Sequence, residues 1–304
     1  MKICLRCSEV FSAKEWICPT CGYKPVRLNE FEAHAPDFAN NGGGFKPEYF
    51  AELAQLESTN FWFRARNELI IWAIQKFKAE AQTLLEVGCG TGFVLSGIAK
   101  SLPSISLSGS EIFVEGLSHA SSRVPSAEFI QMDARQIPFS DEFEVIGIFD
   151  VLEHIEEDKD VLAQLYTALK PGGVLLLTVP QHPWLWSISD EYACHVRRYT
   201  CTEIESKINE TGFQILKSTS FVTLLLPAML LSRKIHKKNK KVFNPIHELK
   251  MNSFLNTVFY ILMIFELGVI RFGVTYPFGR SRLIVARSEL RDAIQTSTRS
   301  WWIS

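Results

Sequence analysis

The chain has 304 residues, room for one large domain plus an appendage, and its 47% hydrophobic and 21% charged content is that of a protein able to bury a core. A formal net charge of −1 argues against a general nucleic-acid binder. Four of the seven cysteines fall within the first 21 residues, which points to a metal rather than a disulfide framework.

Residues 1–25 read as a small knuckle. Cys4-x-x-Cys7 and Cys18-x-x-Cys21 are two pairs, each able to bring two thiolates onto one ion, and Gly22 permits the turn after the last ligand. Four sulfurs suit zinc, with iron the alternative occupant and a redox dithiol the competing reading. A closed four-thiolate site leaves no open position, so a metal here is structural. The pattern resembles zinc-ribbon and rubredoxin-like knuckles. It fits a reducing compartment, and the opening MKICLRC has no long apolar run of the secretory kind, so the expected location is the cytoplasm.

Residues 26–59, with Asn40-Asn41 and Gly42-Gly43-Gly44, have the composition of a linker. From Asn60 to Phe77 the apolar positions Leu69, Ile70, Ala73, Ile74 and Phe77 keep a helical spacing. Phe61-Trp62-Phe63 with Arg64 and Arg66 reads equally as a lid or as ordinary helix packing.

Short apolar strands then alternate with amphipathic helices, at 83–87, 105–110, 127–132, 143–149 and 173–179. That order predicts a parallel, doubly wound α/β sheet in a core over 60–220. Gly88, Gly90 and Gly92 follow the first of these strands and open a helix, a turn whose backbone must approach a ligand closely. The spacing is G-x-G-x-G; Phe93 occupies the place of the third glycine of the dinucleotide fingerprint, which weakens a nicotinamide reading. Glu111, Asp133 and Asp150 end the next three strands, on the edge where open α/β sheets bind ligands. One acid there could be a helix cap; three in series behind a glycine turn point to a nucleoside.

Here the chain resembles the class I S-adenosylmethionine-dependent methyltransferases, and most closely the small-molecule and quinone-biosynthesis branch. The motifs are E86-V-G-C-G-T-G92, Glu111, M132-D-A134, F149-D-V-L-E-H-I155 and L169-K-P-G-G173. The resemblance implies a Rossmann-like seven-stranded sheet with the last strand, at 281–288, antiparallel. It implies S-adenosylmethionine held by Glu86 and the glycine loop at its methionine part, by Glu111 at the ribose, and by Asp133 with Ala134 at the adenine, with Asp150 on the same edge. The rival from another class is a non-catalytic nucleoside-binding scaffold or regulatory module.

Methyl transfer needs a base only where the acceptor atom must lose a proton, and histidine is the usual choice near neutral pH. His154 follows the fourth strand and His195 lies in the loop after the fifth; both are candidates. That loop also holds His182, Trp184, Trp186, Asp190, Arg197, Arg198 and Tyr199, and the two arginines could clamp an anionic acceptor.

Residues 221–280 read as a helical insert with two apolar runs flanking the basic RKIHKKNKK at 233–241. The run from Phe254 to Phe265 falls short of the ~20 residues needed to span a bilayer. It reads as a hydrophobic lid or as a surface that dips into the inner face of a membrane, the latter favouring a lipid-linked rather than a soluble acceptor. Residues 289–304 form a polar tail ending near Trp301-Trp302-Ile303.

Overall fold

A computed structural model of the chain describes residues 1–40, 49–236 and 251–290, with side chains undescribed at 232–236. The triglycine, most of the basic run and the end of the tail lie outside the described residues.

Seven strands build the expected sheet: β5 (Thr83–Val87), β6 (Ser106–Glu111), β7 (Glu128–Gln131), β8 (Phe143–Phe149), β9 (Leu169–Pro180), β10 (Gln214–Phe221) and β11 (Ser281–Arg287). Their order is β10-β11-β9-β8-β5-β6-β7, parallel from β9 to β7, with β11 antiparallel to both neighbours. The fold is therefore the Rossmann-like α/β class the strand–helix alternation predicts. β10 is the one core strand the apolar pattern does not single out. Four of its eight residues are Lys or hydroxylated side chains, so neither a continuous apolar run nor a clean alternation marks it.

Both faces of the sheet are covered, and the two-residue period of a strand sorts the core. Leu84, Val145, Leu176 and Leu283 pack on one side with α2 (Phe61–Phe77), α3 (Phe93–Ser101), α4 (Val114–Arg123) and α9 (Ser253–Arg271). Leu85, Ile146, Leu177 and Ile284 pack on the other with α5 (Asp158–Ala168) and α7 (Cys201–Glu210). Chain order reverses at β5, which has β6 on one side and β8 on the other, so a crevice opens at the carboxyl ends of β5 and β8.

The stretch read as a linker is largely structured. β3 (Val26–Leu28) and β4 (Phe31–Ala33) form a hairpin whose second strand pairs in parallel with β7, making a nine-stranded sheet. Phe31 and Ala33 are buried, and Asn29 at the turn takes a left-handed φ of 53°, which asparagine tolerates. Farther on, α1 (Tyr49–Leu56) lies across the crevice, with Phe50 3.7 Å from the point where a Cβ on Gly90 would stand.

The knuckle is not set apart from the core either. β1 (Lys2–Ile3) pairs with β2 (Val10–Phe11) and also bridges to Phe139; Ile3 N donates to Pro138 O at 2.9 Å and Ser140 N to Met1 O at 2.9 Å. Trp16 sets its ring edgewise on Phe139 and His34.

In the insert, α8 (Leu226–His236) precedes α9, which is longer than the apolar run because it continues through Glu266. Glu266 is fully buried; its carboxylate accepts the N–H groups of Thr223 at 2.9 Å and Leu224 at 2.8 Å, which satisfies an acid that looked like the end of the run.

Candidate active site

The glycine turn follows β5 and ends as the N-cap of α3. Gly88, Gly90 and Gly92 all have left-handed φ, and at two of them space is also closed. A Cβ on Gly88 would stand 2.4 Å from Val151 Cγ2, and one on Gly92 2.9 Å from Ala120 Cα.

Glu111, at the end of β6, reaches across this turn. Its Oε2 accepts from Gly90 N at 2.9 Å and its Oε1 from Ile112 N at 2.9 Å. Burial raises its pKa, opposed by these N–H groups. A carboxylate offers about four acceptor positions, so capacity remains for the hydroxyls of a ribose.

Glu86 is buried on β5, and its Oε2 has no hydrogen-bond partner. Burial pushes its carboxyl up to about 8, with Arg66 pulling the other way. An orphaned buried acid beside the glycine turn suits the ammonium of an amino-acid ligand. The chain's own residues therefore fit the methionine and ribose parts of S-adenosylmethionine.

Asp133 does not stand free. Arg135 grips it through Nη2 at 2.7 Å and Nε at 3.0 Å, while Arg135 N donates to Oδ1 at 2.9 Å. Ala134 beside it is buried. Asp150 sits at a left-handed φ of 56° at the end of β8, ion-paired with Arg66 and accepting from Thr178 Oγ1 at 3.1 Å. Arg66 in turn lies under the Trp62 ring, 4.5 Å from its centroid. The segment Phe61–Arg66 is thus built into the crevice, and Arg66 acts on both Glu86 and Glu153.

His154 and His195 meet. Their rings are 4.8 Å apart at 81°, brought together because Val196 N donates to Glu153 O at 2.8 Å. His195 Nδ1 lies 2.9 Å from Asp190 Oδ1, so Nε2 faces the other way, 3.8 Å from Glu153 Oε1. Burial lowers His154 to about 4, helped by His195, which makes it a neutral imidazole and a weak base. Of the two candidates, His195 is the one whose ring is held by a carboxylate. Glu153 was visible only as part of a motif; in the fold it is 1% exposed, with neither carboxylate oxygen hydrogen-bonded, and burial next to Asp150 raises its pKa well above the ordinary range.

The arginine pair is not available as an anion clamp. Arg197 binds Asp158 at 2.5 Å, alongside Tyr199 and Lys207, and Arg198 is buried against Asp190 at 2.7 Å. The apolar rim of the loop is exposed instead: Trp184 is 59% exposed, and His182 stacks between it and Phe278.

At the knuckle, Cys4 and Cys21 sulfurs are 3.6 Å apart, as are Cys7 and Cys18, and all four lie within 4.8 Å of one another. Sulfurs on a tetrahedral zinc, about 2.3 Å from the ion, are separated by about 3.8 Å, so the donor set fits.

Residues 55–218 match the family described as the methyltransferase domain, over half of the chain, and the chain belongs to that family. A probable S-adenosylmethionine-dependent methyltransferase of Mycolicibacterium smegmatis is 25% identical over 166 residues, 53% of this chain and 62% of that one. A ubiquinone biosynthesis O-methyltransferase of Pseudomonas paraeruginosa is 25% identical over 150 residues, 44% of this chain and 64% of that one. The chain thus spans less than two thirds of the length of either relative. Among solved structures, the [4+2]-cyclase SpnF has a TM-score of 0.51 at 16% identity, covering 76% of this chain and 83% of that one. That likeness is one of fold alone.

Proposed function

We propose that the chain is an S-adenosylmethionine-dependent methyltransferase acting on a hydroxyl of a small-molecule or lipid-linked acceptor. The observation that carries this reading is a shared wall: Val151, which leads into the Glu153–His154 turn, abuts Gly88 of the glycine turn that Glu111 closes. Cofactor and proton-handling groups therefore meet at the switch point of the sheet. Relatives are named for ubiquinone biosynthesis, demethylmenaquinone and malonyl-acyl carrier protein, which supports a small or carrier-linked acceptor.

When bound, S-adenosylmethionine supplies a methyl group activated by its sulfonium. In this reading Glu86 holds the ammonium, Glu111 the ribose, and Asp133 with Ala134 the adenine once Arg135 yields. His195 Nε2 takes the acceptor's proton, with Asp190 holding the ring. The acceptor oxygen, its proton taken, would then be free to receive the methyl group, the sulfonium leaving as the uncharged thioether. Orientation within the crevice supplies the larger part of the rate, with benefits reaching ~7–11 kcal/mol in favourable cases.

The four cysteines hold a structural zinc in a reducing, cytoplasmic setting. α9 supports the lipid-linked acceptor: Phe254, Ile261 and Phe265 are 73%, 60% and 64% exposed, and Phe272 just beyond is 93% exposed. At the acceptor loop the rings of Phe278, His182 and Trp184 add a further apolar group. The exposed side of α9 is the face that would rest in a membrane's head-group boundary.

The deciding experiment is calorimetry with S-adenosylhomocysteine and with NAD. Tight binding of the first and weak binding of the second is expected; the reverse sinks the reading.

A further inference from the structure

Glu153 is the odd acid of this site. The two guanidiniums that act on it are committed elsewhere, Arg66 to Asp150 and Arg198 to Asp190. Its carboxylate is nevertheless buried without a hydrogen bond, and beside it the buried Nδ1 of His154 is also unpartnered. A buried carboxylate left in this condition is costly unless something else completes it. One carboxylate oxygen of Glu153 and one ring nitrogen each of His154 and His195 lie within 4.8 Å of one another.

We propose that Glu153, His154 and His195 form a second metal site, one that takes a divalent transition-metal ion in the acceptor pocket. Two imidazoles and one carboxylate are a donor set suited to zinc or iron(II), with further positions left for an exogenous ligand. Donors about 2.1 Å from a common ion stand about 3–4 Å apart, so side-chain shifts of under about 1 Å close the site. The support around it is of the kind metal-bound histidines have: Asp190 accepts from His195 Nδ1, fixing the tautomer and turning Nε2 toward Glu153. Asp190 is itself fixed by Arg198 and by Ser187, whose N donates to it at 2.8 Å. The Val196–Glu153 backbone bond clamps the two ligand-bearing turns together. With an ion bound, His195 Nε2 would be a ligand rather than the base, and the ion, which lowers the pKa of a hydroxyl bound to it, would take over the ring's part; the site rests on the proposed methyl transfer for its purpose but not for its existence.

The test uses the full chain, stripped with chelator and titrated with cobalt(II) while absorbance is followed. Two equivalents are expected. One carries the intense sulfur-to-metal band of the knuckle, and the other only weak bands without a sulfur contribution. Glu153→Gln and His195→Gln should each abolish the second equivalent and keep the first, whose band reports that the variant chain is folded there. Asp190→Asn should weaken the second equivalent about 10- to 100-fold. A single, sulfur-ligated equivalent in the wild type, or a second one that survives both substitutions, overturns the proposal. S-adenosylhomocysteine titrated into the same samples separates the two ideas: its failure to bind would sink the methyltransferase reading and leave the cobalt result standing.

Discussion

His195 and Asp190 are five residues apart, yet the 2.9 Å contact between their side chains is not a helical neighbour pair. Asp190 is the third residue of α6 (Ile188–Tyr192) and completes a capping box with Ser187. The chain then turns back, through Cys194 at a left-handed φ of 58°, to lay the imidazole on the carboxylate. Asp190 thus caps the start of a helix and holds the His195 ring with one side chain.

Replacing His195 by Ala should lower kcat by ~100- to 10,000-fold, the usual contribution of a positioned general base. Affinity for S-adenosylhomocysteine should stay within a factor of about three, since the proposed function assigns this ring to the acceptor and not to the cofactor. Equal losses in turnover and cofactor affinity would contradict the assignment.

Glu86 makes stability depend on pH in a stated direction. Its folded value of about 8 lies above the ordinary carboxylate value near 4.3. The folded state therefore holds a proton the unfolded chain has released, and stability falls as pH rises between about 4.3 and about 8. Thermal melts at pH 5 and pH 8 should show this decline, and Glu86→Gln should lessen it, with Glu111, Glu153 and Glu266, whose values burial also raises, keeping the rest. The same variant should weaken S-adenosylhomocysteine binding, by ~1.5–3 kcal/mol if the ammonium contact is a charged hydrogen bond.

The knuckle's docking changes what its loss should do. β1 bonds to residues 138–140, the end of the loop that begins at Asp133. Cys4→Ser with Cys7→Ser should remove the sulfur-bound metal, lower the melting temperature and weaken S-adenosylhomocysteine several-fold. Unchanged cofactor affinity in the zinc-free double variant would show that this loop holds its shape unaided.

How far the sequence could be read depended on the range of the signal. The glycine turn, the strand ends at Glu111 and Asp150, and the strand at Ser281–Arg287 are local patterns, and they stand where the pattern places them; that this last strand runs antiparallel came from the family resemblance, not from its own residues. The Arg66–Asp150 ion pair joins residues 84 apart, and no spacing announces it. The β3–β4 hairpin has three residues per strand, too few for alternation to register. Glu153 and Glu266 look like surface acids in the sequence because burial of a charge is decided by partners that arrive from elsewhere.

The membrane reading predicts sedimentation with anionic vesicles at low salt and partial release as salt rises. Phe254→Ser and Phe265→Ser should weaken it, each by up to ~1.5–3 kcal/mol if the ring is fully withdrawn from water. Replacing Lys237, Lys238, Lys240 and Lys241 by Gln should remove the salt dependence and leave cofactor affinity unchanged. Folded protein that ignores such vesicles at every salt returns the helix to a plain lid.

Glu266 gives that surface a mechanical character. With its carboxylate riveted to the backbone at Thr223 and Leu224, α9 cannot slide along its axis without stranding a bare charge in the core. Asn256 pins the other end, accepting from Phe61 N at 2.8 Å and donating to Thr59 O at 2.8 Å. The helix is therefore a fixed keel and not a hinged flap. A surface that received its exposed side would therefore fix the heading of the whole chain, because the helix and the sheet would have to turn together.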